Sequence, residues 1–227
     1  FPDNGTRGLP AIHGQVMLIN GETGVAMAMI DGGALTVRRT ACASALAASY
    51  LAREDASELL MVGAGALAPH LIRAHAAVRP IKRVTVWNRN EDHADRIVDG
   101  LKDTGLEARR VSDLASALPS ADIVSCATLS LTPLVQGDLL KPGAHVDLVG
   151  AFRPDMRESD DATVQRCSLF VDTRAGALQE GGDLVQPLKA GVITEKDIQA
   201  ELSELTQGSH PGRRNADEIT LFKSVGT

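Results

Sequence analysis

Aromatic side chains are scarce in this sequence, which has one Trp, one Tyr and four Phe among 227 residues. So few rings leave little on which to stack bases. The acidic balance, 29 Asp and Glu against 23 Lys and Arg for a net charge of −6, removes the electrostatic footprint of a nucleic-acid binder. Cysteine is also sparse: Cys42, Cys126 and Cys167 are odd in number and far apart, so neither a disulfide framework nor a zinc cluster is expected and they read as buried thiols. None of the six histidines pairs with another at a ligand spacing, so no metal site is expected. No apolar run is long enough to span a bilayer, and no basic segment leads into an apolar one. Membrane and nucleic acid are therefore not expected as partners, and the cytoplasm is the expected compartment. There is no internal repeat and no low-complexity tract. What is present is a hydrophobic content of 44%, ample for a packed core.

The chain is organised around residues 59–75, LLMVGAGALAPHLIRAH. Leu59 to Val62 form an apolar run suited to a strand buried on both faces of a parallel sheet. Gly63 and Gly65 permit a tight turn and a close backbone approach to a ligand, and Ala68 lets the next helix lie against the strand. Pro69 falls in the first helical turn, where its missing N–H costs nothing and the loop amides stay available for a pyrophosphate. A Gly-x-Gly-x-x-Ala match is weak alone. Its weight comes from the second strand, Arg83 to Trp87, which a dinucleotide fold requires next. At the tip of that strand an NAD site carries an acid for the ribose hydroxyls, whereas this chain has Asn88, Arg89 and Asn90. A guanidinium grips a 2′-phosphate that an acid would repel, so the expected cofactor is NADP(H), with NADPH preferred over NADH. The alternative for Arg89 is a solvated loop residue.

The remaining pattern gives an α/β protein with a Rossmann-type doubly wound parallel sheet and a smaller, mostly antiparallel sheet. Gly14 to Asn20 and Val25 to Asp31 read as a hairpin closed by Gly21 to Gly24, with Ala34 to Arg38 as a third antiparallel strand. Thr40 to Arg53 is rich in small helix formers and reads as a linker helix. Glu91 to Asp103 places Ala94, Ile97, Val98 and Leu101 on one helical stripe. Further strands are expected over Ala108 to Val111, Asp122 to Ala127, His145 to Gly150 and Ser168 to Asp172, with Ser112 capping a helix between the first two. Asp155 to Asp161 reads as a solvated helix start. Residues 175–191 read as loop and short helix, Glu195 to Leu205 as helix, and Glu218 to Val225 as an extended segment. The domains expected are 1–40, part of a substrate-binding and dimerisation unit; 41–205, the nucleotide fold; and 206–227, a segment returning to the substrate unit.

A nicotinamide enzyme also needs a cation for the substrate's carboxylate, and Arg39 is the candidate. Expected at the end of a strand and the start of a helix, it is placed so that its side chain and free helix amides converge on one anion. His13 reads equally as a cavity wall or as a hydrogen-bonded structural histidine. Asp147, in mid-strand, requires a partner or a water. No Ser, His and Asp arrangement for a hydrolase is legible.

The segments GLPAIHGQVMLIN, LTVRRTACASALAASYLA, VGAGALA, VWNRN, HVDLVGAFRPDMRESD and ITLFKSVGT together resemble the ornithine cyclodeaminase and mu-crystallin family over nearly the whole chain. The resemblance implies a Rossmann domain joined to a smaller domain that pairs in a homodimer. It also implies further chain before Phe1 and a helix after Thr227. Arg39 matches the arginine that binds substrate carboxylate, and Thr40 and His13 fall at cavity positions. Gly63, Gly65, Ala66, Leu67 and Ala68 match the phosphate loop, while Asn88 and Arg89, with Asn90 beside them, match the 2′-phosphate readers. Ala127, Thr128, Val149, Gly150, Ala151 and Ser224 match contacts near the nicotinamide half. Cyclodeaminases carry a catalytic aspartate where this chain has Phe152. The implied activity is therefore NADPH-dependent reduction of small cyclic ketimines, Δ1-pyrroline-2-carboxylate or Δ1-piperideine-2-carboxylate, to L-proline or L-pipecolate, with Phe152 helping to expel water. The family also offers an amino-acid dehydrogenase, an ornithine cyclodeaminase or a non-catalytic binding protein as alternatives.

Overall fold

The computed structural model describes residues 4, 7–9 and 13–226, so most of the irregular entry segment expected over residues 1–10 lies outside the described residues. The chain divides into two compact units, Phe1–Thr40 and Ala41–Thr227.

In the first unit, β1 (Gln15–Ile19) pairs antiparallel with β2 (Ala26–Asp31), Met17 opposite Met29. Asn20 shapes the turn: its side-chain oxygen accepts from the N–H groups of Glu22 and Thr23, both at 2.9 Å. Every residue of both strands is exposed, Met27, Met29 and Ile19 among them. The third antiparallel strand expected over Ala34 to Arg38 does not form; α1 (Gly32–Leu51) begins there instead. The carboxylate of Asp31 accepts the N–H of Ala34 at 3.0 Å, which is an N-cap, and the helix formers downstream propagate inward from it. Gly32 is needed because its N–H bonds Gly14 O at 2.8 Å, and a Cβ there would stand 2.6 Å from the Gly14 carbonyl carbon.

The second unit is built on an eight-stranded parallel sheet. It comprises β3 (Glu58–Val62), β4 (Arg83–Trp87), β5 (Glu107–Arg110), β6 (Ile123–Cys126), β7 (His145–Leu148), β8 (Ser168–Val171), β9 (Ile198–Glu201) and β10 (Thr220–Lys223). The spatial order is β5-β4-β3-β6-β7-β10-β8-β9. Order reverses between β3 and β6, which is the switch point of a doubly wound sheet. The crossovers carry helices, α2 (Ala68–Val78), α3 (Glu91–Asp99), the single-turn α4 (Leu114–Ala117), α5 (Asp161–Arg166), α6 (Arg174–Glu180), α7 (Gly182–Lys189) and α8 (Leu202–Thr206), except that β6 passes to β7 through a loop with one 3-10 turn at Gly137–Leu139. Leu59, Met61, Val84, Val86 and Ile123 pack with Leu71 and Ile72 of α2 in one core layer, while Leu60, Val124, Val146 and Leu221 join Leu184 in another. From the part of α1 in this unit, Ala41 and Ala48 enter the first layer, and Ala47 and Leu51 pack with Phe170 and Phe222.

Four local expectations are corrected. Asp113, not Ser112, caps α4, its side chain accepting from Ala115 N–H at 3.1 Å. The helix expected over Glu195 to Leu205 contains β9, because the open edge of β8 offers backbone partners that outweigh the local helix-forming composition; Glu195–Asp197 is a short 3-10 turn and only Leu202–Thr206 is α-helical. The segment expected to return to the substrate unit supplies β10, hydrogen-bonded between β7 and β8 in the nucleotide fold. Cys126 and Cys167 are buried as expected, but Cys42 is exposed.

Candidate dinucleotide site

The turn after β3 is set by Gly63, with φ of +103° and a position where a Cβ would meet the Ala127 carbonyl oxygen at 2.6 Å. Only glycine satisfies both conditions without strain. Gly65 faces open space, leaving the loop approachable from outside. Helix α2 then starts with Leu67 at its N-cap, no side-chain cap, and Pro69 in the first turn. The N–H groups of Gly65, Ala66 and Leu67 find no acceptor among the described residues. Uncapped amides at the positive end of a helix form an anion cradle, so the residues present fit a pyrophosphate. A cavity of about 520 Å³ opens beside them, lined on one side by Gly63, Gly65 and the Asn88 to Asn90 tip of β4, and on the other by Ala127 and Thr128 beyond β6.

At the tip of β4, Asn88 ties two turns together. Its side-chain oxygen accepts Ala64 N–H at 3.2 Å and its amide donates to Asn90 O at 2.8 Å. Asn90 caps α3 through Asp92 N–H at 3.0 Å. Both side chains are committed to building the wall, while Arg89 is exposed at its rim. Among the described residues, none that line the cavity is acidic; the nearest acids in sequence, Glu91 and Asp92, open α3.

Beyond β7, Val149, Gly150 and Ala151 are buried, and Ala151 takes φ of +22°, a conformation that side-chain-bearing residues rarely adopt. Ser224 is buried after β10, its N–H bonding Leu148 O at 3.2 Å. Phe152 is 41% exposed. Asp147 does find partners: Ser125 Oγ donates to its carboxylate at 2.7 Å, and His75 Nε2 lies 3.2 Å away. Burial works to raise its pKa, yet His75 and Ser125 prevail and hold it below the ordinary carboxylate range. This buried Ser, Asp and His trio is a core support, because the carboxylate sits in the middle and no member reaches solvent.

The structure thus gathers Gly63, Gly65, Asn88, Arg89, Asn90, Ala127 and Thr128 around one cavity. Ala66, Leu67 and Ala68 form the adjoining loop and helix start, with Leu67 and Ala68 at the entry to α2. The cavity also has walls that sequence reasoning missed: Ala64, Trp87, His93, Leu129, Ser130 and Leu134. In the first unit, His13 is exposed ahead of β1, and Arg39 and Thr40 lie in α1. Arg39 is therefore inside a helix whose amides are engaged along its axis, and the expected help from free amides at a helix start does not apply.

One feature of the second unit was not legible at all. Asp155 to Asp161, expected as a solvated helix start, contains a fully buried Glu158 and Ser159, with a bridge from Ser159 to Val135. Glu158 is surrounded by Thr128, Asp183 and Lys223, the last two also fully buried. Nothing in the DMRESDD run distinguishes the buried carboxylate from its charged neighbours.

A parallel sheet with an uncapped glycine turn at its switch point and a second-strand tip opposite it defines a Rossmann-type protein with an NAD(P)-type dinucleotide site. A profile of the ornithine cyclodeaminase/mu-crystallin family matches residues 1–227, and the chain belongs to that family. It is 42% identical, over all of its own length and 72% of the relative's, to Δ1-pyrroline-2-carboxylate reductase of Paracoccus denitrificans. It is also similar, at 38% identity and a TM-score of 0.95, to Thermococcus litoralis Δ1-pyrroline-2-carboxylate reductase in complex with NADH and L-proline, covering 100% of this chain and 70% of that one. An archaeal alanine dehydrogenase dimer with bound NAD is similar at 30% identity and a TM-score of 0.93, covering 99% of this chain and 69% of the other. Among the described residues no helix is long and apolar enough to cross a membrane, and no cluster of metal-ligating side chains is present.

Proposed function

We propose that this protein is an NADPH-dependent oxidoreductase that reduces small cyclic ketimines, Δ1-pyrroline-2-carboxylate and Δ1-piperideine-2-carboxylate, to L-proline and L-pipecolate. The observation carrying this reading is the likeness, across the whole of this chain, to a reductase that holds NADH and L-proline together. When bound, the dinucleotide supplies the hydride that forms the new C–H bond at the imine carbon, the C=N π pair passing to nitrogen with a proton from solvent or protein. The chain's own task is placement. The amides of Gly65, Ala66 and Leu67 hold the pyrophosphate, Ala127, Thr128, Val149, Gly150, Ala151 and Ser224 frame the nicotinamide half, and Phe152 helps to exclude water. Arg39 pairs with the substrate carboxylate, with Thr40 and His13 as its companions on the substrate side. A protonated C=N is already electrophilic, so orientation carries most of the catalysis.

The absence of an acid beside Arg89 supports the choice of the phosphorylated cofactor. The exposed apolar ribbon of β1 and β2 supports a homodimer, because a two-stranded hairpin with both faces in water is not stable by itself. An amino-acid dehydrogenase is the second reading, favoured by the likeness to alanine dehydrogenase.

Steady-state oxidation of NADPH by each cyclic imine, with pyruvate plus ammonium as the competing pair, separates the two. Arg39→Ala is expected to lower kcat/KM for the imine by roughly a hundredfold or more, mainly through KM, because the carboxylate loses a charge-assisted partner. Arg89→Ala is expected to raise KM for NADPH and leave that for NADH unchanged. Turnover of pyruvate with ammonium and none of either imine sinks the first reading.

A further inference from the structure

The buried cluster behind the β6 and β7 strand ends contains two carboxyl groups and a lysine, Glu158, Asp183 and Lys223, all fully buried, which is costly unless the arrangement serves something. Glu158 Oε1 accepts both the N–H of Thr128 at 2.6 Å and its hydroxyl at 2.8 Å. The same oxygen lies so close to Gly150 that a Cβ there would stand 2.2 Å from it. Lys223 Nζ donates to Leu148 O at 3.2 Å and Gly150 O at 3.1 Å, and sits 3.6 Å from Asp183 Oδ2. Asp183 Oδ1 in turn accepts the N–H groups of Glu158 and Ser159 at 2.8 and 2.9 Å. The second oxygens, Glu158 Oε2 and Asp183 Oδ2, find no hydrogen-bond partner among the described residues. The cluster therefore fixes Thr128 and Gly150 from behind, and Thr128 also lines the dinucleotide cavity. In a doubly wound sheet the first mononucleotide half lies over β3 to β5, so the other half of a dinucleotide falls over the ends of β6 and β7.

We infer that Glu158 is a positioning residue for the nicotinamide end: its carboxylate holds the Thr128 corner of the cavity and couples the choice between oxidised and reduced dinucleotide to release or uptake of a proton. This rests on the dinucleotide reading above. The physical basis is charge. The oxidised ring is a cation and the reduced ring is neutral, so a buried anion behind the ring's seat favours the oxidised form, and reciprocally the oxidised form favours the ionised carboxylate. The groups facing Glu158 are Asp183 from α7, Lys223 from β10, and Cys126 and Thr128 at the end of β6. Burial first, then repulsion from Asp183, pushes Glu158 up to about 7, with Lys223 opposing, so its proton is exchangeable near neutrality. Burial holds the Cys126 thiol protonated, well above its ordinary range, so it adds no charge of its own.

The test is calorimetric titration of the full-length protein with NADP+ and with NADPH near neutral pH, in two buffers of different ionisation enthalpy. The oxidised form should release a fraction of a proton more on binding than the reduced form. The ratio of Kd for NADPH to Kd for NADP+ should rise several-fold from about pH 6 to about pH 8.5. Any titration of the 2′-phosphate is common to both forms and cancels in the ratio. Glu158→Gln keeps an acceptor for Thr128 but cannot ionise, so it should bind both forms with a ratio that no longer changes with pH. Equal proton counts for the two forms in the unmodified protein, or a Glu158→Gln protein that retains the slope, overturns the inference. The unmodified protein alone decides should that variant fail to fold. Binding of neither form removes the dinucleotide reading as well; binding of both with equal proton counts removes only this one.

Discussion

At the residue scale, the site divides into positions whose chemistry is local and positions whose chemistry depends on packing. Gly63 is of the first kind: a positive φ and a backbone oxygen 2.6 Å from where a Cβ would stand are both satisfied by one residue type. Gly63→Ala is expected to cost about 2–4 kcal/mol, from the strained dihedral and the clash with Ala127, and to abolish dinucleotide binding even where the protein still folds. Urea denaturation reads the first effect and quenching of intrinsic fluorescence by added dinucleotide the second; unchanged binding would show that the loop does not contact the pyrophosphate. This position was legible because glycine spacing records backbone geometry directly. Glu158 is of the second kind. The run around it is rich in charge, so no periodicity marks it, and its burial is imposed by Asp183 and Lys223 from elements far along the chain.

Elements with a strong internal pattern, such as β3, α2 and β4, were legible, because an apolar run, a proline-led helix and a second apolar strand each follow from a local rule. Elements decided by their neighbours were not. The start of α1 reads as a strand in Leu35, Thr36 and Val37, and only the Asp31 cap shows that the helix begins earlier; β9 reads as a helix until the edge of β8 is in place. The junction of β3 and β6 depends on such a neighbour effect. Asp122 accepts the N–H groups of Ser57 and Glu58 at 2.8 and 2.9 Å, and pairs with Arg53 at 2.9 Å and Lys141 at 2.7 Å. Burial works to raise the Asp122 pKa, but Lys141 and these N–H groups outweigh it and hold the carboxyl below its ordinary range. Asp122→Ala should destabilise the protein by roughly 2–4 kcal/mol, because two strand-end N–H groups and two cations lose their shared acceptor. A double-mutant cycle with Arg53→Ala should show a clear coupling energy, whereas strict additivity would mean that the two side chains act independently.

For the molecule as a whole, two buried groups set the response to acid, and they oppose each other. His145 is enclosed with Nδ1 3.0 Å from Thr220 Oγ1 and no partner for Nε2 among the described residues. Burial lowers its pKa from 6.5 to about 3, so between those values the unfolded chain holds a proton that the folded chain lacks, and acid destabilises. Glu158 has the reverse sign. Raised from 4.5 to about 7, it gives the folded chain the extra proton in that interval, and acid stabilises. Where the intervals overlap the proton counts cancel. These two groups together therefore predict a stability nearly flat from about pH 6.5 to about pH 4.5 and then falling as only the histidine contribution remains, at about 1.4 kcal/mol per pH unit, with Asp122 and Asp147 adding to the loss lower still. Glu158→Gln removes the compensation, so its stability should decline from about pH 6.5 downwards while the unmodified protein holds level. Urea midpoints measured across that range for both proteins decide the matter. Parallel curves would mean that the Glu158 carboxyl titrates at its ordinary value, and the proton-linked choice of cofactor would lose its physical basis as well.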